Sequence, residues 1–227
     1  MPETLKALSK SMHIGVIGGT GPQGRGLALR WAQAGMSVRI GSRNPESAQQ
    51  VATEILELIP GADITGGTNT TVATWADIVA IVVPWAGHKL TLEALRDPLR
   101  GKLVIDCVNP LGFDEKGAFA LPVDEGSATQ QAAALLPESR VIGAFHNVSA
   151  VVLNDISREV ASDVLVLGDG RADAQIVQEL ADVIPGVHGI YGGRLRNSAQ
   201  VEALTANLIS INRRYKAHSG VRITGLA

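Results

Sequence analysis

The strongest constraint in this sequence is a cluster of glycines set between an apolar run and a helical pattern. Ile14, Val16 and Ile17 lead into Gly18-Gly19-Thr20-Gly21-Pro22-Gln23-Gly24, and amphipathic residues follow at once. This order reads as strand, phosphate turn and helix. Gly19, Gly21 and Gly24 fill the G-x-G-x-x-G positions, which serve the tight turn, backbone contact with a pyrophosphate, and close helix–strand packing respectively. Pro22 suits the first helical turn, where an N–H would lack an intrahelical partner anyway. Thr20 and Gln23 offer polar side chains beside the phosphates. The helix Leu27 to Ala34 ends at Gly35, a natural exit residue, and a second apolar strand, Val38 to Ile40, completes a βαβ unit.

A chain preferring NAD would carry an acid at the tip of that second strand to hold the ribose 2′-hydroxyl. Here Ser42 and Arg43 stand at the tip, with no acid before Glu46. A carboxylate would repel a 2′-phosphate, whereas Arg43 gains about 1.5–3 kcal/mol from a charge-assisted contact and Ser42 adds a hydrogen bond. NADP(H) is therefore expected. Asn44-Pro45-Glu46 starts a helix running to about Ile59. Ser47 lies in its first turn, where its hydroxyl either reaches the same phosphate or bonds water and backbone.

Farther on, a strand at Ile64-Thr65 and a polar helix through Ala73 precede Asp77 to Val83, an apolar run of the kind buried on both faces of a parallel sheet. Val83 and Pro84 close it where the nicotinamide ribose and ring are expected. Trp85 either covers the site or caps the edge of the core, and His88 reads as a helix-terminus histidine. Leu103 to Asp106 forms the next strand, and Asn109 beyond it is expected to face the cofactor. Leu111 to Gly126 is a plain connection or a flap. Ser127 caps a helix, Ala128 to Leu136, and the strand Val141 to Ala144 delivers His146 to the same crevice. A strand at Val164 to Leu167, a helix from about Ala172 to Val183, a short segment His188 to Tyr191 and a long helix Asn197 to Lys216 complete the chain. Along the last helix Val201, Leu204, Leu208 and Ile211 form an apolar face, directed at the first lobe or at a second subunit.

The fold class expected is α/β, a Rossmann-type doubly wound, mostly parallel sheet with a smaller C-terminal α/β lobe. Residues 1–145 form the NADP-binding domain, with 1–11 a polar or helical leader, and 146–227 form the smaller domain. With 227 residues, 45% of them hydrophobic, and a formal net charge of -2, the chain has neither the basic field that nucleic acid demands nor a polybasic membrane segment. Small-molecule chemistry is the expectation. Cys107 is the only cysteine; it reads as an inert core thiol and suits a reducing cytoplasm. Met1 to Ser11 lacks the apolar stretch of a signal peptide, and no run is long and apolar enough for a bilayer.

From Met12 to Lys216 the chain resembles the NADP oxidoreductases that use the deazaflavin coenzyme F420. The resemblance rests on Gly18-Gly19-Thr20-Gly21 with Gly24, Gly26-Leu27-Ala28-Leu29-Arg30, Gly41-Ser42-Arg43, Ile64-Thr65-Gly66, Val83-Pro84-Trp85, His146 with Ala150, Asn154, and Asn197-Ser198 before Val201-Glu202. It implies hydride transfer between NADP(H) and F420, with the dinucleotide bound by Thr20 to Gln23, Ser42, Arg43, Val83, Asn109 and Ala150. Two positions depart from relatives: Ser47 stands where a lysine is common, and Asn109 replaces an apolar residue. Direct hydride transfer needs the two ring carbons aligned about 3–3.5 Å apart and little else. No acid or base is therefore assigned. His146 is a candidate to orient the deazaflavin, or a histidine that fixes the turn between lobes. Arg194 and Arg196 are candidate partners of the acidic deazaflavin tail.

Other activities fit less well. A short-chain reductase needs a lysine four residues after its tyrosine, whereas Tyr191 and Tyr215 are followed at that offset by Leu195 and Ser219. Imine or hydroxyacid reduction would want a longer helical domain and a placed acid or lysine. A non-catalytic NADP(H)-binding redox sensor is the alternative outside enzymology, and the apolar final helix suggests a homodimer.

Overall fold

In the computed structural model, which describes residues 12–226, the glycine turn follows the third strand from one edge of an eight-stranded sheet whose strands, numbered along the chain, are ordered β10-β9-β8-β5-β4-β1-β2-β3. The first strand β1 (Ile14–Ile17) is followed by α1 (Pro22–Gln33), β2 (Val38–Ser42), α2 (Pro45–Leu58) and β3 (Ile64–Thr68) on one side. Helix α3 (Asn69–Trp75) then carries the chain back across the opposite face to β4 (Ile78–Ile81), and α4 (Trp85–Ala94) leads on to β5 (Leu103–Asp106). The switch in direction falls between β1 and β4, where open α/β sheets bind ligands outside the strands' carboxyl ends.

Period-two alternation buries both faces of the central strands. Ile14 and Val16, Ile78 and Ala80, and Leu103 and Ile105 enter one core with Leu27, Ala48 and Ile55. Ile17, Val79, Ile81 and Val104 enter a second with Val72, Leu92, Ala128 and Ala132. The parallel registers place Ile17 opposite Gly41 on β2 and Ile81 on β4, so the strand ends align along one edge.

After β5, the stretch Leu111 to Gly126 is more than a plain connection: its first ten residues form an antiparallel hairpin, β6 (Leu111–Asp114) and β7 (Gly117–Ala120), which packs on the last helix. Its signal is weak because each strand is four residues long, half of them exposed. Helix α5 (Ala128–Leu135) begins at Ser127, whose hydroxyl accepts from Gln130 N as the sequence predicts. It leads to β8 (Arg140–Gly143) and the short α6 (Ala150–Leu153).

The strands β9 (Ser162–Leu167) and β10 (Val187–Gly193) flank α7 (Arg171–Asp182). They are parallel to each other, but β9 meets β8 antiparallel and at one pair, Gly143 with Leu167. Each is the last residue of its strand, so the bodies of β9 and β10 stand beyond the carboxyl edge, and β8 does not run alongside them. A 3-10 turn (Leu195–Asn197) then opens α8 (Ser198–Tyr215), which lies over α5 and the hairpin. Val201 and Leu208 of its apolar face are buried within the chain, while Ile211 stays exposed. The expected leader, 1–11, falls outside the described residues.

Candidate functional site

The glycines of the turn divide their duties differently from the sequence expectation. The tight turn belongs to Gly18, whose φ is +81°, a conformation that favours glycine, and whose missing Cβ leaves room for the Val82 carbonyl. Gly19, expected in that role, serves close packing: a Cβ there would lie 2.8 Å from Ile40 Cγ2 and 2.9 Å from the Val16 oxygen. Gly24 behaves as expected, its added Cβ meeting Gly18 O and Gly19 Cα at 2.7 Å. At Gly21 the nearest atom would be 3.5 Å away, so the backbone is open to an approaching group.

Gly21 caps α1 with Pro22 in the first turn, and no acid lies there. Among the described residues the N–H groups of Thr20, Gln23 and Gly24 reach no protein acceptor. Free N–H groups at the positive end of a 12-residue helix form a cradle for a phosphate. The turn is tied to the tip of β2, since Gly18 N and Gly19 N both donate to Gly41 O, at 3.1 and 3.2 Å.

That tip carries Ser42 and, just beyond it, Arg43. Arg43 is exposed and makes no ion pair or hydrogen bond among the described residues. Ser42 Oγ accepts from Asn44 N at 3.2 Å, and Asn44 Oδ1 caps α2 through Glu46 N and Ser47 N at 2.9 and 3.1 Å. Ser47 therefore sits at the start of α2 on the same corner as Arg43, its hydroxyl without a protein partner among the described residues.

The other end of the crevice is built from three strand ends. Pro84 is exposed, Val83 and Trp85 are half-buried, and both of the latter pack on the second core. Trp85 thus caps the edge of the core while remaining at the carboxyl edge. Asn109 donates through Nδ2 to His146 O at 2.9 Å, and Thr205 Oγ1 of α8 donates to the same oxygen at 2.8 Å. Asn109 Oδ1 is buried and has no hydrogen-bond partner among the described residues.

The imidazole of His146 is 3% exposed and neither ring nitrogen has a hydrogen-bond partner. Burial holds its pKa below the ordinary 6.5, opposed in part by Glu202, Asp106 and the backbone at Val108. Burial thus favours the neutral ring, while the His146 carbonyl gathers Asn109 and Thr205.

Gln23 Nε2 donates to Phe145 O at 3.2 Å, joining α1 to the end of β8. Phe145 holds φ at +63°, uncommon for a bulky residue and costing on the order of 1–3 kcal/mol. Ala150 opens α6, and its carbonyl accepts Asn154 Nδ2, which also reaches Pro22 O at 2.8 Å. The N-terminal turn of α1 is thus braced from α6. Arg194 and Arg196 are exposed on the turn after β10, beside the Gly143–Leu167 junction.

Several structural residues here escape sequence reasoning. His88 lies in the first turn of α4, as expected, but it is no plain terminus histidine: it is wholly buried and faces Asp106 at 2.6 Å. Glu202, 2% exposed on α8, accepts from Ala128 N, Thr129 N and Thr129 Oγ1, so the C-terminal helix caps α5. Arg30 is buried and donates to the carbonyls of Leu153, Val152, Asp155 and Arg158, clamping α1 to the end of α6. Nothing in spacing or composition links these partners. Cys107 is the inert thiol expected, 6% exposed, with burial and then the charge of Asp106 pushing its pKa well up.

A hollow of about 450 Å³ lined by Arg171, Gln175, Gln178, Glu179, Asp182 and Tyr191 lies elsewhere, on α7 and the edge strand β10. Its lining lacks the free N–H groups and converging strand ends of the crevice at β1, so the crevice is the candidate site. Among the described residues no cluster of ligating side chains could hold a metal.

Residues 13–110 match the family described as NADP oxidoreductase, coenzyme F420-dependent. An F420-dependent NADP reductase of Methanothermobacter thermautotrophicus is 42% identical over 222 residues, 95% of this chain and 96% of that protein. Another of the same name, from Methanocaldococcus jannaschii, is 37% identical over 95% of this chain and 99% of its own length. A crystal structure from Arthrobacter sp. FB24, described as a candidate F420-dependent NADP-reductase, superposes with a TM-score of 0.77 at 25% identity, covering 92% of this chain and 97% of that one.

Proposed function

The chain belongs to the family of F420-dependent NADP reductases, and on that premise we propose that it passes a hydride between NADP(H) and coenzyme F420 in the crevice above β1 and β4. The observation that carries the reading is the pairing, at the tips of β1 and β2, of a phosphate cradle and an arginine that both lack partners among the described residues. Residues 1–145 supply the dinucleotide site and 146–227 complete the deazaflavin site.

Gly19, Thr20, Gly21, Pro22, Gln23 and Gly24 hold the pyrophosphate on the end of α1. Arg43, with Ser42 and Ser47, takes the 2′-phosphate; lacking a second cation at Ser47, the corner rests on one guanidinium. Val83, Pro84 and Trp85 on one side and Asn109 on the other hold the nicotinamide end, and Ala150 closes it. His146 orients the deazaflavin indirectly, through the groups its carbonyl gathers. With both coenzymes bound, the nicotinamide and deazaflavin rings would supply the hydride chemistry, in either direction, between them. The chain contributes alignment and exclusion of water, which alone account for large accelerations.

Mixing the protein with NADPH and oxidised F420 tests this. Loss of the deazaflavin's visible absorbance supports the enzyme; tight NADPH binding without bleaching would instead indicate a sensor. No helix among the described residues is long and apolar enough to cross a membrane, and we place the protein in the cytoplasm as a homodimer. Ile211 and Tyr215, 41% and 73% exposed at the end of α8, support a contact between copies. A monomer by light scattering at micromolar concentration would exclude it.

A further inference from the structure

Four side chains that do not hold the dinucleotide form a chain beneath the nicotinamide end. Gln131 Nε2 donates to Glu125 Oε2 at 3.1 Å, Gln131 Oε1 faces His88 Nδ1 at 3.0 Å, and His88 Nε2 faces Asp106 Oδ2 at 2.6 Å. His88 and Asp106 are both wholly buried. Glu125 can only accept, so it fixes which end of the Gln131 amide points away from it. The end left for His88 is an oxygen, also an acceptor. Both ring nitrogens of His88 therefore face acceptors, and an imidazole that donates from both is a cation.

The two ends of this chain reach opposite walls of the crevice. The Trp85 and His88 rings lie 5.5 Å apart, tilted by 32°. The second oxygen of Asp106 accepts from Val108 N at 3.1 Å, just before Asn109. From this geometry we propose that His88, held as an imidazolium between Asp106 and Gln131, is a positioning residue for hydride transfer, setting Trp85 on one wall and Val108–Asn109 on the other. The proposal rests on the hydride-transfer reading above.

Deprotonation at Nδ1 would set its lone pair against Gln131 Oε1, two acceptors at 3.0 Å. Turning the amide to relieve this breaks the bond to Glu125. Loss of one proton therefore loosens both walls. The charged groups around the ring are Asp106 on β5, Glu202 on α8, and Glu125 before α5 through Gln131; His146, after β8, lies within reach of the same Asp106 and Glu202. Burial alone would lower the His88 pKa, but the hydrogen bond to Asp106 and its charge, with Gln131 and Glu202, raise it above the ordinary value.

Nitrogen NMR of the whole protein, labelled at histidine and free of coenzymes, reads the charge state directly. At about pH 7.5 one histidine should show both ring nitrogens protonated, and that signal should vanish in His88→Gln. With both coenzymes, His88→Gln should slow single-turnover deazaflavin bleaching by roughly tenfold or more while changing the NADPH Kd by less than about threefold. The wild-type rate should fall on the alkaline side, the fall should be absent from His88→Gln, and Gln131→Leu should move it to lower pH. A neutral signal for His88, or a bleaching rate within about twofold of wild type in a folded His88→Gln, would overturn the proposal. If His88→Gln does not fold, Gln131→Leu decides: an unmoved alkaline limb refutes the positioning role. A wild-type protein that bleaches no deazaflavin sinks the hydride reading and the positioning role with it, whereas the ring-nitrogen signal alone tests the charge state.

Discussion

An exposed guanidinium without a protein partner adds little to stability and is free to meet an anion, which is the situation of Arg43 among the described residues. Arg43→Ala should raise the NADPH Kd by roughly 10- to 100-fold, the loss of one charge-assisted contact. NADH, which lacks the phosphate, should change by about twofold or less. Fluorescence titration with both coenzymes checks this, and equal losses would remove the phosphate role. At this scale the sequence is informative wherever a residue acts through its neighbours in the chain. Pro22, Ser42 and Arg43 are legible because the turn that places them is local. His88 is not, because its meaning comes from Asp106 and Gln131, 18 and 43 residues away. Gly18 is not legible for a related reason: the room its missing Cβ leaves is taken by the carbonyl of Val82, just beyond β4 and 64 residues on.

Between elements, the seam of α1 and α6 depends on a missing side chain. A Cβ on Gly26 would lie 2.6 Å from Leu153 Cβ and 2.9 Å from Asn154 Nδ2. Gly26→Ala should therefore push α6 away and cost about 1–3 kcal/mol, an overpacking cost that exceeds the helix propensity alanine would gain. Urea unfolding should show a lower midpoint at an unchanged slope. An unchanged midpoint would mean the seam is looser than these distances indicate. Helices such as α2 and α5 are readable in advance because their caps, Asn44 and Ser127, act within three residues. The β6–β7 hairpin is not, since short, exposed, glycine-bearing strands carry no clear alternation.

Across the whole molecule, two buried histidines bend stability against pH in opposite directions. His146 has its pKa lowered from 6.5, so as pH falls below that value the unfolded chain takes up a proton that the native one refuses, and stability declines. His88 has its pKa raised, so the stability it contributes is fully present below 6.5 and is lost as pH rises through its native value. Unfolding free energy measured against pH should therefore peak near neutrality, with the alkaline decline reduced in His88→Gln. A decline as steep in that variant would show that other groups govern it.

The strand order also governs how the chain reaches this state. Trp31 lies edge-on to Phe145, their ring centres 5.6 Å apart, and its indole N–H donates to Leu180 O, a residue 149 positions away. Contacts so distant in the chain form slowly, because a long loop must close before they can repay its entropy. In stopped-flow refolding, far-ultraviolet ellipticity should recover ahead of the Trp31 emission, isolated by replacing Trp75 and Trp85. The indole chosen to fill the core would then act as a timekeeper for the last step of assembly, and simultaneous recovery of the two signals would mean that the distant halves meet early.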